Sequence, residues 1–213
     1  MDSFPSTQGS VVIRNLVKTI QDNATYLSEL DGATGDGDHG INMSKGFGLA
    51  LERLDPQIDL ATGLDLLGST LLTEIGGAMG PLYGTLFIKM ATTCQGKATI
   101  DAAIFGAMLH AGLLGVQDLG DAQVGDKTLI DTLAPAEAAC AAAIAEGVSF
   151  TAALRRMAQA AEAGKESTRS LVAKIGRASR LGERSRGHLD AGATSCFLIL
   201  DSLATSMITL LND

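Results

Sequence analysis

The stretch Asp31-Gly32-Ala33-Thr34-Gly35-Asp36-Gly37-Asp38-His39-Gly40-Ile41-Asn42 places three carboxylates, an imidazole and an amide in a glycine-rich turn between two helical segments. Asp31, Asp36 and Asp38 offer only oxygen, the donor set of a hard cation such as Mg²⁺ or Ca²⁺. An ion held by so few carboxylates fills its remaining positions with water and substrate phosphates. Asp36 and Asp38 stand two apart, so their side chains can converge in an extended turn, while Gly35, Gly37 and Gly40 let a ligand approach the backbone. Three packed carboxylates repel one another, which implies a cation. The spacing is not that of an EF-hand, whose twelfth loop position is a glutamate; counted from Asp36, that position is Phe47. Nor is it a P-loop. Asp38 also suits the N-cap of a helix beginning near His39, but a cap uses one aspartate and leaves two unexplained.

Outward from this turn the chain reads helix after helix. Ala and Leu dominate, aromatic residues make up only 4%, and no long segment alternates with a period of two, so an all-α fold is expected. Before the turn, Val12, Leu16, Ile20 and Leu27 recur on one face and predict a helix over residues 6–30. Beyond it, helices are expected over residues 39–54, 59–75, 82–94, 99–114, 128–146, 149–166 and 191–212, with breaks at Asp55-Pro56 and at Gly76 to Pro81. Antiparallel helices joined by short turns give a bundle or a closed helical barrel, and loops at one end then converge into a site. No internal repeat is visible, and disorder is expected only for the first few residues.

At 213 residues and 46% hydrophobic, the chain is expected to form a single domain over residues 1–213. Lys89, Asp101, Asp118 and Asp201 interrupt every apolar run before the ~18 residues that span a bilayer, so no membrane association is expected. The N-terminus Met-Asp-Ser-Phe-Pro lacks the pattern of a signal peptide, which favours the cytoplasm. Cys94, Cys140 and Cys196 are far apart, each in an apolar stretch, and read as buried small hydrophobes rather than a disulfide framework or a zinc site. A net charge of -8 speaks against nucleic acid.

Three further segments carry polar residues that suggest a site. The glycines of Gly76-Gly77-Ala78-Met79-Gly80 expose backbone N–H groups at a helix start, where an anion is favoured; the alternative is a simple helix break. Gly125-Asp126-Lys127-Thr128, within Gly120 to Asp131, either walls a pocket or caps the next helix through Asp126 or Thr128, and capping is favoured. Arg177, Arg180, Arg184, Arg186 and His188 form the main concentration of positive charge, serving either a phosphate or a solvated loop. His39, beside the metal ligands, is a candidate donor to phosphate, whereas His110 on an apolar helix is expected to be structural.

Taken together and in this order, Gly35-Asp36-Gly37-Asp38-His39-Gly40-x-Asn42-Met43, Gly76-Gly77-Ala78-x-Gly80-Pro81-Leu82-Tyr83-Gly84, Gly125-Asp126-Lys127-Thr128, Gly176-Arg177-Ala178-Ser179 and Gly182-Glu183-Arg184-Ser185 resemble the nucleotide-binding L subunit of dihydroxyacetone kinase, the DhaL or Dak2-type domain. The resemblance spans nearly the whole chain. It implies a barrel of about eight antiparallel amphipathic helices with ADP or ATP and two Mg²⁺ in the loops at one end. Asp31, Asp36 and Asp38 would hold the metals and, with Arg177, act in catalysis. His39, Gly40, Ile41, Asn42, Ala78, Met79, Gly120, Leu129, Arg177, Asp190, Ala191 and Gly192 would surround the nucleotide. Met79 departs from the family pattern, which commonly has serine there, so a hydroxyl that could donate to phosphate is missing.

The activity implied is phosphoryl transfer to dihydroxyacetone held by a separate K subunit, as a step of glycerol metabolism. A free-standing L chain of this length resembles the branch in which retained ADP is rephosphorylated by a phosphohistidine protein of the sugar phosphotransferase system. The alternatives are a metal-nucleotide regulatory module and an ATP-dependent kinase subunit for another short ketose. A fatty-acid kinase domain fits less well, because that branch has Thr where this chain has His39. Homodimer formation is left open.

Overall fold

Helical propensity carries through to the architecture of the computed structural model, which describes residues 2–212. Among the described residues the α-helices are α1 (Gly9–Asp22), α2 (Ala24–Gly32), α3 (His39–Glu52), α4 (Leu60–Glu74), α5 (Met79–Cys94), α6 (Ala102–Gln117), α7 (Ile130–Ala145), α8 (Phe150–Ser167) and α9 (Ala191–Asn212). The fold is therefore all-helical in substance. Local chemistry sets the starts: Asp59 accepts from Thr62 N at 2.8 Å, Asp101 from Ile104 N at 2.8 Å and Ser149 from Ala152 N at 3.2 Å, each satisfying an otherwise orphaned donor.

Two expectations need correction. The helix predicted over residues 6–30 is two helices, because Asn23 departs from helical geometry and turns its side-chain amide back onto the Thr19 carbonyl at 2.8 Å, a local bond that competes with the ladder. The start predicted at Thr99 is a short strand, β2 (Thr99–Asp101), paired antiparallel with β1 (Ser3–Pro5). Two β-branched residues favour that strand, and its partner buries Phe4 completely, so residues 3–5 are ordered where disorder was expected.

Each helix packs on its neighbour in an up-and-down order: α3 on α1 and α2, then α4, α5, α6, α7, α8 and α9 in turn, and α9 also on α1. Helices α4 and α5 cross closely. A Cβ on Gly68 would lie 2.8 Å from the Gly84 carbonyl oxygen, and one on Gly84 2.9 Å from that of Gly68, so only glycine permits the approach. Helix α9, with 22 residues and a mean hydropathy of 1.6, has the length and composition to cross a membrane, but 67% of that apolar window is buried against the other helices. Polar pairs fix its register on α1: Asn15 to Ser206 at 3.0 Å and Thr19 to Ser202 at 3.1 Å. Cys94, Cys140 and Cys196 are buried free thiols, as expected.

This alternation brings the starts of α3, α5, α7 and α9 to one end, with the loops that follow α2, α4, α6 and α8.

Candidate functional site

Those loops enclose a cavity of about 530 Å³. Five segments line it: 31–42, 76–83, 127–129, 175–178 and 190–192. Because the N-terminal turns of α3, α5, α7 and α9 all border it, four positive dipole ends serve one space in a chain of net charge -8.

The aspartate turn supplies the opposite charge. Carboxylate oxygens of Asp31, Asp36 and Asp38 lie within 4.8 Å of one another. Asp38 precedes α3 but makes no side-chain cap, so its carboxylate is left to the cluster, and Asp31 accepts instead from His39 N at 3.4 Å. The Arg177 guanidinium pairs with Asp36. Three converging carboxylates with oxygen donors only, and one cationic partner between them, match the needs of a divalent hard cation.

The anion-facing wall comes from the glycine run. Gly77 adopts φ 72 with open space around it, and α5 then begins at Met79, three residues before the sequence-based start; Pro81 sits in the first turn, where a missing N–H removes no helical bond. Met79 lines the cavity and packs partly on the core.

The segment after Gly120 does both things asked of it: Lys127, Thr128 and Leu129 line the cavity, and the Thr128 hydroxyl accepts from Ile130 N, the first residue of α7, at 3.2 Å. Asp131, inside the first turn of α7, accepts from Gly125 N at 2.6 Å and Thr128 N at 2.7 Å, while Asp126 accepts from Gln123 N at 2.8 Å and pairs with Lys174 at 2.9 Å. Between them Lys127 turns inward at φ 64, only 1% exposed. Its ammonium donates to the carbonyls of Thr168 at 2.7 Å, His188 at 2.5 Å and Leu171 at 3.3 Å, tying three segments behind the cavity. Burial lowers the lysine pKa from its ordinary value, with Asp190 the leading opposing charge.

At the start of α9, Asp190 accepts from Ala193 N at 2.7 Å. Burial pushes its carboxyl up to about 6, against the pull of that bond and of Lys127. His39 is lowered from its ordinary value by burial, with Asp31 opposing, and its Nε2 lies 2.9 Å from the Ser195 hydroxyl.

Of the predicted site residues, Asp31, Asp36, Asp38, His39, Asn42, Ala78, Met79, Leu129, Arg177, Asp190, Ala191 and Gly192 line the cavity together. Gly40, Ile41 and Gly120 do not. Gly40 is buried against α2, where a Cβ would strike the Ala24 carbonyl; Ile41 points outward at 65% exposure; Gly120 is an exposed loop residue. Of the basic segment only Arg177 reaches the cavity, since Arg186 is engaged by Glu183 at 3.0 Å and the Ser170 carbonyl at 2.5 Å. His110 meets Glu137 at 2.9 Å, bridging α6 and α7. Sequence reasoning assigned no role to Tyr83 or Ser195 and did not foresee the burial of Lys127. The signal available was position within a motif, which does not reveal inward-facing hydrogen bonds.

Comparison with known proteins places this geometry. Residues 33–205 match the DAK2 domain, and the chain belongs to that family. It is 40% identical over 181 residues to a protein of Escherichia coli (strain K12), the ADP-binding subunit DhaL of PEP-dependent dihydroxyacetone kinase, covering 84% of this chain and 86% of that protein. It is 37% identical over 203 residues to the corresponding subunit of a second such kinase in Listeria innocua, covering 92% of each. The dihydroxyacetone kinase of C. freundii, solved in complex with AMP-PNP and Mg²⁺, superposes with a TM-score of 0.68 at 27% identity over 95% of this chain; the chain spans only 34% of that longer protein.

Proposed function

We propose that this chain is the ADP-binding subunit of a dihydroxyacetone kinase, a phosphotransferase working with a dihydroxyacetone-binding K subunit and a phosphohistidine donor of the phosphotransferase system. The carrying observation is the convergence of Asp31, Asp36, Asp38 and Arg177 with four helix starts on one cavity. Its relatives named as PEP-dependent ADP-binding subunits match it over most of both chains, which supports the same donor type. The neighbour in complex with AMP-PNP and Mg²⁺ supports nucleotide with magnesium. A donor chain that starts at phosphoenolpyruvate fits a cytoplasmic placement. The continuous packing of neighbouring helices, with α9 returning to α1, supports reading residues 1–213 as one domain whose helices close as a barrel of eight, α1 and α2 counting as one rod.

On this reading Asp31, Asp36 and Asp38 hold two magnesium ions, and when bound these neutralise charge on the phosphate oxygens. The backbone N–H groups at Ala78–Met79 and Gly192 hold phosphate oxygens, His39 and Asn42 donate from α3, and Leu129 gives an apolar wall. Gly40 and Ile41 contribute through the backbone turn alone, and Gly120 lies beyond contact with the cavity. Arg177, exposed at the rim and paired with Asp36, would stabilise charge on the transferred group once the nucleotide and metal take up that carboxylate. Transfer is in line to a ketose hydroxyl presented by the K subunit, which also excludes water from the open end. The side chains around the cavity leave no group assigned to a carbonyl substrate.

The test mixes the chain with Mg²⁺, ATP and dihydroxyacetone, then adds a K subunit, then replaces ATP by catalytic ADP and a phosphohistidine donor. Turnover is expected only in the last mixture. Turnover by the chain alone overturns the subunit reading, and turnover with K subunit and ATP alone rejects the donor type.

A further inference from the structure

Behind His39 lies a chain of hydroxyl groups that the reading above does not use. His39 Nε2 is 2.9 Å from Ser195 Oγ, which is 2.6 Å from the Tyr83 hydroxyl; both hydroxyls also reach the Gly192 carbonyl, Tyr83 at 2.9 Å and Ser195 at 3.1 Å. Ser195 is fully buried and Tyr83 is 1% exposed, so water does not compete for these bonds. The three residues come from the starts of α3, α5 and α9, the helices whose N-termini border the cavity.

For a neutral imidazole the bond between Nε2 and Ser195 runs in one of two directions, illustrated by two arrangements of the hydroxyl protons. In one, Tyr83 donates to Ser195 and Ser195 donates to Nε2, so the neutral imidazole carries its proton on Nδ1. In the other, Tyr83 donates to Gly192, and Ser195 accepts from a protonated Nε2 while donating onward, leaving Nδ1 as an acceptor. For the neutral ring, a phosphate oxygen beside Nδ1 is compatible only with the first, because two acceptors cannot bond each other. We infer that Tyr83 and Ser195 are positioning residues that clamp the His39 ring through Nε2 and, with nucleotide bound, present Nδ1–H to a phosphate oxygen. The clamp itself stands on the geometry; its orientation by phosphate rests on the proposed nucleotide site.

Nitrogen NMR of the His39 ring, recorded with and without ADP and Mg²⁺, tests both parts in wild type, Ser195→Ala, Tyr83→Phe and Ser195→Thr, with ADP affinity measured by calorimetry. In the free protein, Ser195→Ala and Tyr83→Phe are expected to shift the Nε2 resonance, and Ser195→Thr to restore the wild-type value. With ADP, the wild-type ring is expected as the Nδ1–H tautomer, and Ser195→Ala to bind ADP about tenfold more weakly, the loss of roughly one hydrogen bond's worth of orientation. Tyr83→Phe keeps the ring packing and carries the test should Ser195→Ala fail to fold. An Nε2 resonance unmoved by both substitutions overturns the clamp, and an Nε2–H tautomer in the ADP complex overturns its orientation by phosphate. A wild type that binds no ADP, but whose free ring responds to both substitutions, supports the clamp and overturns the nucleotide reading alone.

Discussion

The aspartate turn (31–39) and the lysine loop (125–131) both bring charge to the same cavity, but Asp36 and Asp38 face solvent whereas Lys127 is 1% exposed and satisfied by three backbone carbonyls. The turn keeps its carboxylates uncommitted apart from the Arg177–Asp36 pair and the long bond from His39 N to Asp31, at the expense of mutual repulsion. The loop does the reverse. Its ammonium is fully engaged in joining segments 125–131, 168–171 and 188–190, so its charge serves the shape of the cavity rather than its contents. Charge at a site thus divides between groups left free for a ligand and groups used up in holding the walls.

The sharpest way to break this contrast is to remove each charge and melt the free protein. Lys127→Met leaves buried carbonyl acceptors without a donor, and unpaired buried polar groups are costly, so a loss of about 3–5 kcal/mol is expected. For a domain of this size that lowers the melting temperature by roughly 10 °C. Asp36→Asn should leave the free protein unchanged or slightly more stable. Equal losses in the two variants would show that the turn is as structural as the loop.

The same contrast explains what was legible in the sequence. The aspartate turn could be read because its chemistry depends on side chains clustered within eight residues, and the helices because Ala, Leu and periodic apolar positions announce them. Lys127 could not, because its partners are carbonyls 41, 44 and 61 residues away, and backbone groups have no sequence signature. Likewise Tyr83 meets Ser195 across 112 residues of chain. The break at Asn23 and the strand at Thr99 were lost to local side-chain bonding and to a three-residue partner strand at the N-terminus, neither of which a helical periodicity detects. Gly40 was read as a ligand-facing glycine although its small size serves the contact with α2.

Ligand sharpens the comparison from the other side. At 100 times its dissociation constant, ADP with Mg²⁺ should stabilise the wild type by ~2.7 kcal/mol, or roughly 5–10 °C. Chelator should abolish the shift, and Asp36→Asn should lose most of it. A full shift in Asp36→Asn, measured by the same melts, would remove the turn from the metal site.

Between the two extremes stands Asp190, which caps α9 but carries a desolvated carboxyl raised to about 6. Its folded pKa lies above the ordinary value of 3.8, so the fold favours the protonated acid. The associated stability is fully present below about pH 4 and is lost as pH rises through 6. Asp190→Asn keeps the cap acceptor and removes the charge, so the variant is expected to gain up to about 3 kcal/mol over wild type at pH 7, with the gain vanishing toward pH 4. Denaturant titrations at several pH values measure it, and a constant difference across pH would refute the assignment of the strain to this carboxyl.

The smallest effect concerns Met79, the apolar first residue of a helix whose N-terminal N–H groups face the cavity. Met79→Ser supplies a hydroxyl beside the phosphate position but removes a side chain that packs partly on the core. Two opposed changes follow: ADP binding tightens by about 1 kcal/mol, near fivefold, and the free protein loses a similar amount of stability. Calorimetric titration and melts of the free variant separate the two, since only the first depends on ADP. An unchanged affinity with reduced stability would mean that the backbone donors of α5 already satisfy the phosphate, and that this chain holds its nucleotide through the same kind of main-chain contact by which Lys127 holds the loops.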